Sequence, residues 1–201
     1  PSYRKSRGMS GRRRKKPQRV LILGGTGDAR RLAARLVSDG HDVISSLSGV
    51  TREPAMPEGR VQVGGFGGVK GLADYVVDEA VSLMIDATHP FAAQMAANAA
   101  SASDLSGVPI VRLERPAWIA EPGDDWSMAK GTGDAVRMVE PGACAFVTIG
   151  RKEIAQFTVR RDIRVVARMI ESPDIELPKG WKFIFARPPF TQLEEMGLMG
   201  A

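Results

Sequence analysis

The chain of 201 residues has one cysteine and only two histidines. A single cysteine allows no internal disulfide, and Cys144 precedes the apolar run 145–149, so we expect it to be a core residue. Two distant histidines and one cysteine give no ligand cluster, so no metal site is expected. No apolar run approaches the length of a membrane helix, and the first residues lack the apolar core of a secretory signal. These features predict a cytoplasmic protein with no membrane partner.

Acidic residues are absent from the first 27 positions, where basic residues are concentrated. Nine of the 28 lysines and arginines lie between residues 4 and 19, which leaves 19 basic and 23 acidic residues and a net charge of −4 for the rest. We expect residues 1–17 to be a disordered basic leader, because they lack apolar periodicity. Residues 12–16 could bind nucleic acid, but the body of the chain offers no matching basic face. A solvated leader is favoured, and nucleic acid is not an expected partner.

The stretch 20–36 has the order of a strand, a glycine turn and a helix. The apolar run 20–23 is typical of a strand that is buried on both faces. Glycines after such a strand let the backbone bend and approach a pyrophosphate, which the N–H groups at the start of the helix would bind. The fingerprint is imperfect, because Arg30 stands at the third glycine position. A tight turn without a ligand is the alternative.

A second strand is predicted at residues 41–47, and its end bears on the choice of cofactor. In NAD-binding folds, an acidic residue near this point holds the ribose 2′-hydroxyl. Here Ser46 is followed by small and hydroxyl residues and then by Arg52. That combination suits a 2′-phosphate better and favours NADP. The alternative is that Arg52 is a solvent-facing loop residue.

Three more strands are predicted at residues 60–63, 81–85 and 108–113, with helices at 71–80 and 91–103 between them. Four glycines surround Phe66 in the loop after the first of these strands. Either the backbone of this loop lies close to a ligand, or the loop needs several positive φ angles.

The loop after the fourth strand contains His89, beside Asp86 and Thr88. Ligands of open α/β sheets lie beyond the carboxyl ends of the strands. His89 is therefore a candidate catalytic residue, and a structural histidine is the alternative. Pro90 is well placed to start the next helix, where its missing N–H does no harm.

The C-terminal part repeats the opening pattern on a smaller scale. After a linker at residues 121–131, a helix is expected at 132–139, and the apolar run 145–149 is followed by a glycine. Strands at 163–168 and 181–185 would follow.

We therefore predict an α/β protein with two domains. Residues 18–120 would form a Rossmann-like, dinucleotide-binding domain with a parallel sheet. Residues 132–201 would form a second, smaller α/β domain, which is incomplete because it has too few strands for a doubly wound sheet.

Several motifs together resemble the precorrin-6A reductase family of cobalamin biosynthesis. The resemblance covers residues 20–190, and its motifs are, in chain order, ILGGTGDARRLA, ISSLSGVTREP, VGGFGG followed by GLADYV, IDATHPFAAQM, RLERPAW and TIGRKEIAQF. The resemblance implies a two-domain α/β reductase that uses NADPH, with NADH possible in some members. The reaction would reduce one ring double bond of precorrin-6A, or of its cobalt form, to give the 6B product.

The resemblance also implies roles for particular residues. Near the pyrophosphate would lie Gly24, Gly25, Thr26, Gly27 and Arg30. Ser46 and Arg52 would meet the adenosine end, and Thr88, His89 and Pro90 would lie near the nicotinamide. The tetrapyrrole would fill the cleft between the domains, where its carboxylates need cationic partners. The candidates are Arg115, Arg151 and Lys152.

The chain departs from the family at its end, because members continue into a turn similar to Lys-Asn-Ser-Gly-Gly that is absent here. A non-catalytic module that binds NADP is therefore the alternative function. A short-chain dehydrogenase is excluded, because that class needs a Tyr-x-x-x-Lys pair and Tyr75 is followed four positions later by Glu79. The sequence does not indicate an oligomeric state.

Overall fold

The apolar run that follows the basic leader is the central strand of a parallel sheet in the computed structural model of the chain. The structure describes residues 16–49, 55–116, 119–176, 178–187, 190–191, 193–194 and 197. The chain divides into two compact units, residues 1–115 and 116–201. The predicted limits of the two domains stay predictions. Within the described ranges, none of the helices is long and apolar enough to span a membrane.

Strands and helices alternate along the first unit. In chain order its described elements are β1 (Arg19–Leu23), α1 (Gly27–Ser38), β2 (Asp42–Leu47), β3 (Arg60–Val63), α2 (Gly68–Asp78), β4 (Leu83–Asp86), α3 (Ala93–Ser106) and β5 (Ile110–Arg112). The sheet order is β3-β2-β1-β4-β5, and every pair of neighbouring strands is parallel. Helical crossovers between parallel strands place helices on both faces of such a sheet.

Alternate residues of β1 face two separate apolar cores. Val20 and Ile22 pack with Ala29 and Ala33 of α1 on one face. Leu21 and Leu23 face the opposite side, which is covered by α2 and α3. The side chains of these helices on that side are small or branched: Leu72, Ala73, Val76, Ala99 and Ala102. Because both faces are covered, β1 is hydrophobic along its whole apolar run.

Two helices of the first unit begin at other residues than the sequence predicts. α2 begins at Gly68 rather than at residue 71. α3 begins at Ala93, and Pro90 lies in a turn before it rather than at its start. The reason is local, because the N–H of Ala92 donates to the carbonyl oxygen of His89 at 2.8 Å and closes a turn before the helix.

The second unit has a smaller parallel sheet of the order β6-β7-β8. Its described elements are α4 (Thr132–Met138), β6 (Cys144–Val147), a 3-10 helix (Ile154–Val159), β7 (Arg164–Met169) and β8 (Lys182–Phe185). α4 and the 3-10 helix cover one face of the sheet through Val136, Ile154 and Phe157. The repeat of the opening pattern is therefore only partial, because β6 leads into a short 3-10 helix instead of an α-helix.

Cys144 is exposed, so its predicted place in the core is wrong. It is the first residue of β6, which pairs only with β7 in the described sheet. Side chains alternate between the faces of a strand. Since Ala145 and Val147 face the core, Cys144 lies on the opposite face.

Candidate functional site

The strand order of the first sheet reverses between β1 and β4. From β1 the chain proceeds outward to β2 and β3, and then returns to β4 on the other side of β1. In open α/β sheets, ligands bind in the crevice outside the carboxyl ends of the strands at such a switch point. The two loops at this crevice are the glycine turn after β1 and the residues 87–92 after β4.

The glycine turn lies against the end of β2. The N–H of Gly24 donates to the carbonyl oxygen of Ser46 at 2.9 Å. A Cβ atom at Gly24 would lie 3.3 Å from that oxygen, and Gly25 has a φ of +108°. The backbone of Gly25 therefore favours glycine, and a side chain at Gly24 would be tightly packed against β2. Ser46 is 8% exposed, and its carbonyl oxygen is the atom that accepts the hydrogen bond from the turn.

Thr26 joins the two loops of the crevice. Its hydroxyl oxygen accepts a hydrogen bond from the N–H of Ala29 at 3.1 Å, so it caps the N-terminus of α1. The same hydroxyl donates to the carbonyl oxygen of Ala87 at 2.9 Å. The N–H of Ala87 donates to the carbonyl oxygen of Leu23 at 2.9 Å. These bonds hold the start of the β4 loop against the glycine turn.

An acidic residue lies in the first turn of α1, where the helix presents free N–H groups. Asp28 forms an ion pair with Arg31 and a second with Nε of Arg115 at 2.5 Å. The hydrogen bond from Arg115 is the main cause that lowers the pKa of Asp28 below its ordinary value of 3.8. Arg115, predicted to bind substrate, is thus paired within the protein. Arg30 lies in the same turn and is partly exposed.

Asp86 is a buried carboxylate at the end of β4, 3% exposed. Its Oδ1 accepts hydrogen bonds from the N–H of Thr88 at 3.1 Å and from the hydroxyl of Thr88 at 2.7 Å. Nε of Arg112 lies 3.9 Å from Oδ2. Asp86 was not among the predicted site residues. An acid directly after an apolar strand was the signal that could have indicated it.

His89 lies at the surface of the same loop. Its Nδ1 accepts a hydrogen bond from the N–H of Phe91 at 3.3 Å, and the two rings meet edge to face at 4.9 Å. A neutral imidazole whose Nδ1 accepts carries its proton on Nε2. His89 can therefore present an N–H group to a ligand, and Pro90 beside it is also exposed.

The glycine-rich loop after β3 is explained by its backbone. Gly64, Gly67 and Gly68 have φ angles of +109°, +79° and +93°. Residues with a side chain rarely adopt such angles. The second of the two interpretations, a loop that needs positive φ angles, therefore accounts for these glycines.

The remaining predicted residues lie in the second unit or outside the described ranges. Arg151 and Lys152 follow β6, at the carboxyl edge of the second sheet. Nη1 of Arg151 lies 3.2 Å from a carboxylate oxygen of Asp174, and Lys152 is exposed. Arg52 lies outside the described residues. Among the residues that the structure describes, no group of three or more His, Cys, Asp or Glu side chains could hold a metal ion.

The sheet order, the glycine turn and the switch point define an α/β protein with a Rossmann-type first unit. Residues 19–201 match the family model described as "Precorrin-6x reductase CbiJ/CobK". The chain belongs to this reductase family.

Individual relatives agree with this assignment. The chain is 43% identical to the precorrin-6A reductase of Rhodococcus erythropolis over 183 residues, which are 90% of this chain and 74% of the relative. It is 37% identical to that of Mycobacterium tuberculosis over 90% of this chain and 73% of the relative. The solved structure "CobK precorrin-6A reductase" matches with a TM-score of 0.83 and 37% identity, over 91% of this chain and 74% of that one. The predicted family, the α/β fold and the oxidoreductase class are confirmed.

Proposed function

We propose that this protein reduces a ring double bond of precorrin-6A, or of its cobalt form, to the 6B product, with NADPH as the reductant. The observation that carries the proposal is the glycine turn after β1, which the Thr26 hydroxyl holds to the β4 loop at the switch point. The names of the similar proteins supply the reduction of precorrin-6A, and the ring double bond and the 6B product are what the family resemblance implies. A cytoplasmic location remains a prediction from the sequence.

The residues of the turn fit a pyrophosphate. A Cβ atom at Gly25 would have no heavy atom within 4 Å, so there is open space above the turn. The start of α1 offers N–H groups and a positive dipole end. The negative charge of Asp28 in this turn is compensated by Arg31 and Arg115. The groups that would hold the pyrophosphate are the backbone of Gly24, Gly25, Thr26 and Gly27 and the side chain of Arg30.

The end of β2 would receive the adenosine. No acidic residue follows within residues 46–49, so the usual partner of a ribose 2′-hydroxyl is absent from this described segment. Ser46 and Arg52 remain the proposed neighbours of a 2′-phosphate, and NADH as the cofactor is the alternative.

The β4 loop would receive the nicotinamide, which supplies a hydride when it is bound. Thr88, His89 and Pro90 would orient it, because they follow the strand beside the glycine turn. His89 is exposed in this loop and, as an imidazolium, would donate a proton through a water molecule, and solvent could serve equally.

The carboxylates of the tetrapyrrole need cationic partners. Arg151 and Lys152 are proposed for this role, since both lie in the loop at the carboxyl edge of the second sheet. Arg115 is also proposed, although its guanidinium already contacts Asp28.

Titration of the purified chain with NADPH and with NADH tests the cofactor, followed by energy transfer from tryptophan to the reduced nicotinamide. We expect saturable binding with a preference for NADPH. Oxidation of NADPH that depends on added precorrin-6A then tests the reaction. Binding without turnover would support the non-catalytic NADP-binding module, and no binding of either cofactor would contradict both functions.

A further inference from the structure

We infer that the hydroxyl oxygen of Thr88, oriented by Asp86, is a hydrogen-bond acceptor for the carboxamide N–H group of the nicotinamide. The inference rests on the proposed use of NADPH. It states which partner donates and which accepts in one hydrogen bond between the protein and the cofactor. It makes Thr88 a residue that distinguishes between cofactor analogues and makes Asp86 its positioning residue.

The direction follows from the partners of Thr88. Oδ1 of Asp86 accepts from both the N–H and the hydroxyl of Thr88, at 3.1 Å and 2.7 Å. A threonine hydroxyl has one proton to donate and two lone pairs that can accept. Since its proton is directed at Asp86, only the lone pairs of Thr88 are left for a ligand.

Asp86 is held firmly enough to impose this direction. Its side chain is 4% exposed, and Nε of Arg112 lies 3.9 Å from its second oxygen. Its own carbonyl oxygen accepts from the N–H of Leu113 at 2.8 Å, so the backbone is fixed as well. Rotation of a buried carboxylate away from its hydrogen-bond donors costs free energy, because the carboxylate would be left without partners.

Thr88 lies where a ligand of this fold would reach it. Thr88 is partly exposed and follows Ala87 in the chain. Ala87 forms hydrogen bonds with both Leu23 and Thr26 at the crevice. A ligand group placed there must donate a hydrogen bond. The nicotinamide end of the cofactor carries such a donor in its carboxamide, and the neighbouring ribose carries hydroxyl groups that could compete for the position.

The test compares NADPH with its 3-acetylpyridine analogue, in which a methyl group replaces the carboxamide NH₂. Dissociation constants are measured by calorimetry on the full chain, without substrate, so activity is not needed. We expect the unmodified protein to bind NADPH about fivefold to tenfold more tightly, as for one hydrogen bond of ordinary strength. Equal affinity for the two cofactors would overturn the inference.

Three variants separate the contact from a structural role. Thr88→Val and Asp86→Asn should both reduce the ratio of the two affinities to about one. Thr88→Val removes the acceptor. Asp86→Asn introduces an NH₂ group that can donate to the Thr88 hydroxyl and so reverse the direction of that hydrogen bond. Thr88→Ser should keep the preference. Ser82→Ala is the matched control, since that hydroxyl donates to the carbonyl oxygen of Arg19 at 3.0 Å, next to the opposite end of β4.

The outcomes also separate this inference from the proposed function. If no variant binds and the unmodified protein binds neither cofactor, the use of NADPH is wrong. If Thr88→Val weakens both cofactors equally and keeps the preference, Thr88 acts only on the loop and the carboxamide contact is wrong. If Thr88→Val fails to fold, a preference for NADPH over the analogue in the unmodified protein that Asp86→Asn loses and Thr88→Ser keeps supports the contact.

Discussion

The hydroxyl of Thr26 donates to the carbonyl oxygen of Ala87 across the crevice between β1 and β4, at a distance of 2.9 Å. The same oxygen accepts from the N–H of Ala29 and caps α1. One side chain therefore fixes the glycine turn, the start of the helix and the β4 loop together. The sequence predicted Thr26 as a cofactor contact, whereas its hydroxyl serves the protein, which leaves its backbone for the proposed pyrophosphate.

Replacement of Thr26 with valine should lower both stability and cofactor affinity. Loss of an N-cap costs about 0.5–2 kcal/mol, and the carbonyl of Ala87 loses a partner as well. We expect the free energy of unfolding in urea to fall by about 1–2 kcal/mol. Thr26→Ser should restore most of it. Thr158→Val, which removes a hydroxyl bonded to the carbonyl of Ala155, should leave the affinity for NADPH unchanged.

Replacement of Arg115 with glutamine should change the acid stability. Arg115 lowers the pKa of Asp28 below 3.8, so the pair stabilises the folded protein above that pH and the contribution disappears as the pH falls through the folded pKa. The difference in melting temperature between the two proteins should therefore be largest at neutral pH and vanish in acid. A difference that persists at low pH would show that Arg115 stabilises the protein by packing instead.

The same variant tests the charge balance at the proposed pyrophosphate site. Without Arg115, the carboxylate of Asp28 would lie near the proposed phosphates with less compensation, which should weaken NADPH binding about threefold at low salt. Asp28→Asn in the same chain should restore the affinity. Arg137→Gln, which breaks a similar exposed pair with Asp134, is the matched control. If Arg115→Gln changes only the KM for the tetrapyrrole, its role is in substrate binding alone.

Gly71→Ala should destabilise the first unit through a backbone collision. An added Cβ atom at Gly71 would overlap the carbonyl oxygen of Phe66, which belongs to the loop before α2. Overpacking of this kind costs about 1–3 kcal/mol. Gly65→Ala is the matched control, because its Cβ atom would meet nothing within 4 Å. Thermal unfolding of both variants measures the difference, and equal melting temperatures would contradict it.

The parts of the fold that could be predicted were those with a local signal. The continuous apolar run of β1 and the glycines after it indicate the first βαβ unit, and the helical spacing of Leu32, Ala33, Leu36 and Val37 indicates the packed side of α1. The start of α3 could not be predicted from Pro90, because the turn that displaces it depends on a bond from Ala92 to His89. The exposure of Cys144 depends on which face of β6 is covered, which is a tertiary property.

The structure brings two of the predicted loops together, and the roles of their residues stay predictions. The glycine turn and the loop of His89 meet at the crevice, as the parallel sheet requires. The pairing of Arg115 with Asp28 joins residues 87 positions apart, and no spacing rule indicates it. Asp86 was overlooked as a site residue although an acid directly after an apolar strand was a signal, because its hydrogen bonds to Thr88 are visible only in the structure.

Glu79→Gln should lower stability without affecting the cofactor. Glu79 pairs with Arg60 at 2.9 Å and lies 3.7 Å from Arg19, at the amino ends of β1 and β3. Exposed pairs are worth about 0.2–1 kcal/mol and are screened by salt. The loss in stability should therefore shrink in high salt. The dissociation constant of NADPH should not change, because the network lies at the opposite edge of the sheet from the glycine turn.

Arg151→Gln should raise the KM for the tetrapyrrole and leave NADPH binding unchanged. A hydrogen bond to a charged group is worth about 1.5–3 kcal/mol, so loss of one carboxylate contact predicts an increase of about tenfold or more. Lys152→Gln should have a smaller effect, because a lysine contacts a carboxylate as a point charge without the bidentate geometry of arginine. Lys182→Gln, at the amino end of β8, is the matched control. If both Arg151→Gln and Lys182→Gln raise the KM equally, the effect is one of net charge, and the carboxyl edge of the second sheet does not bind the substrate.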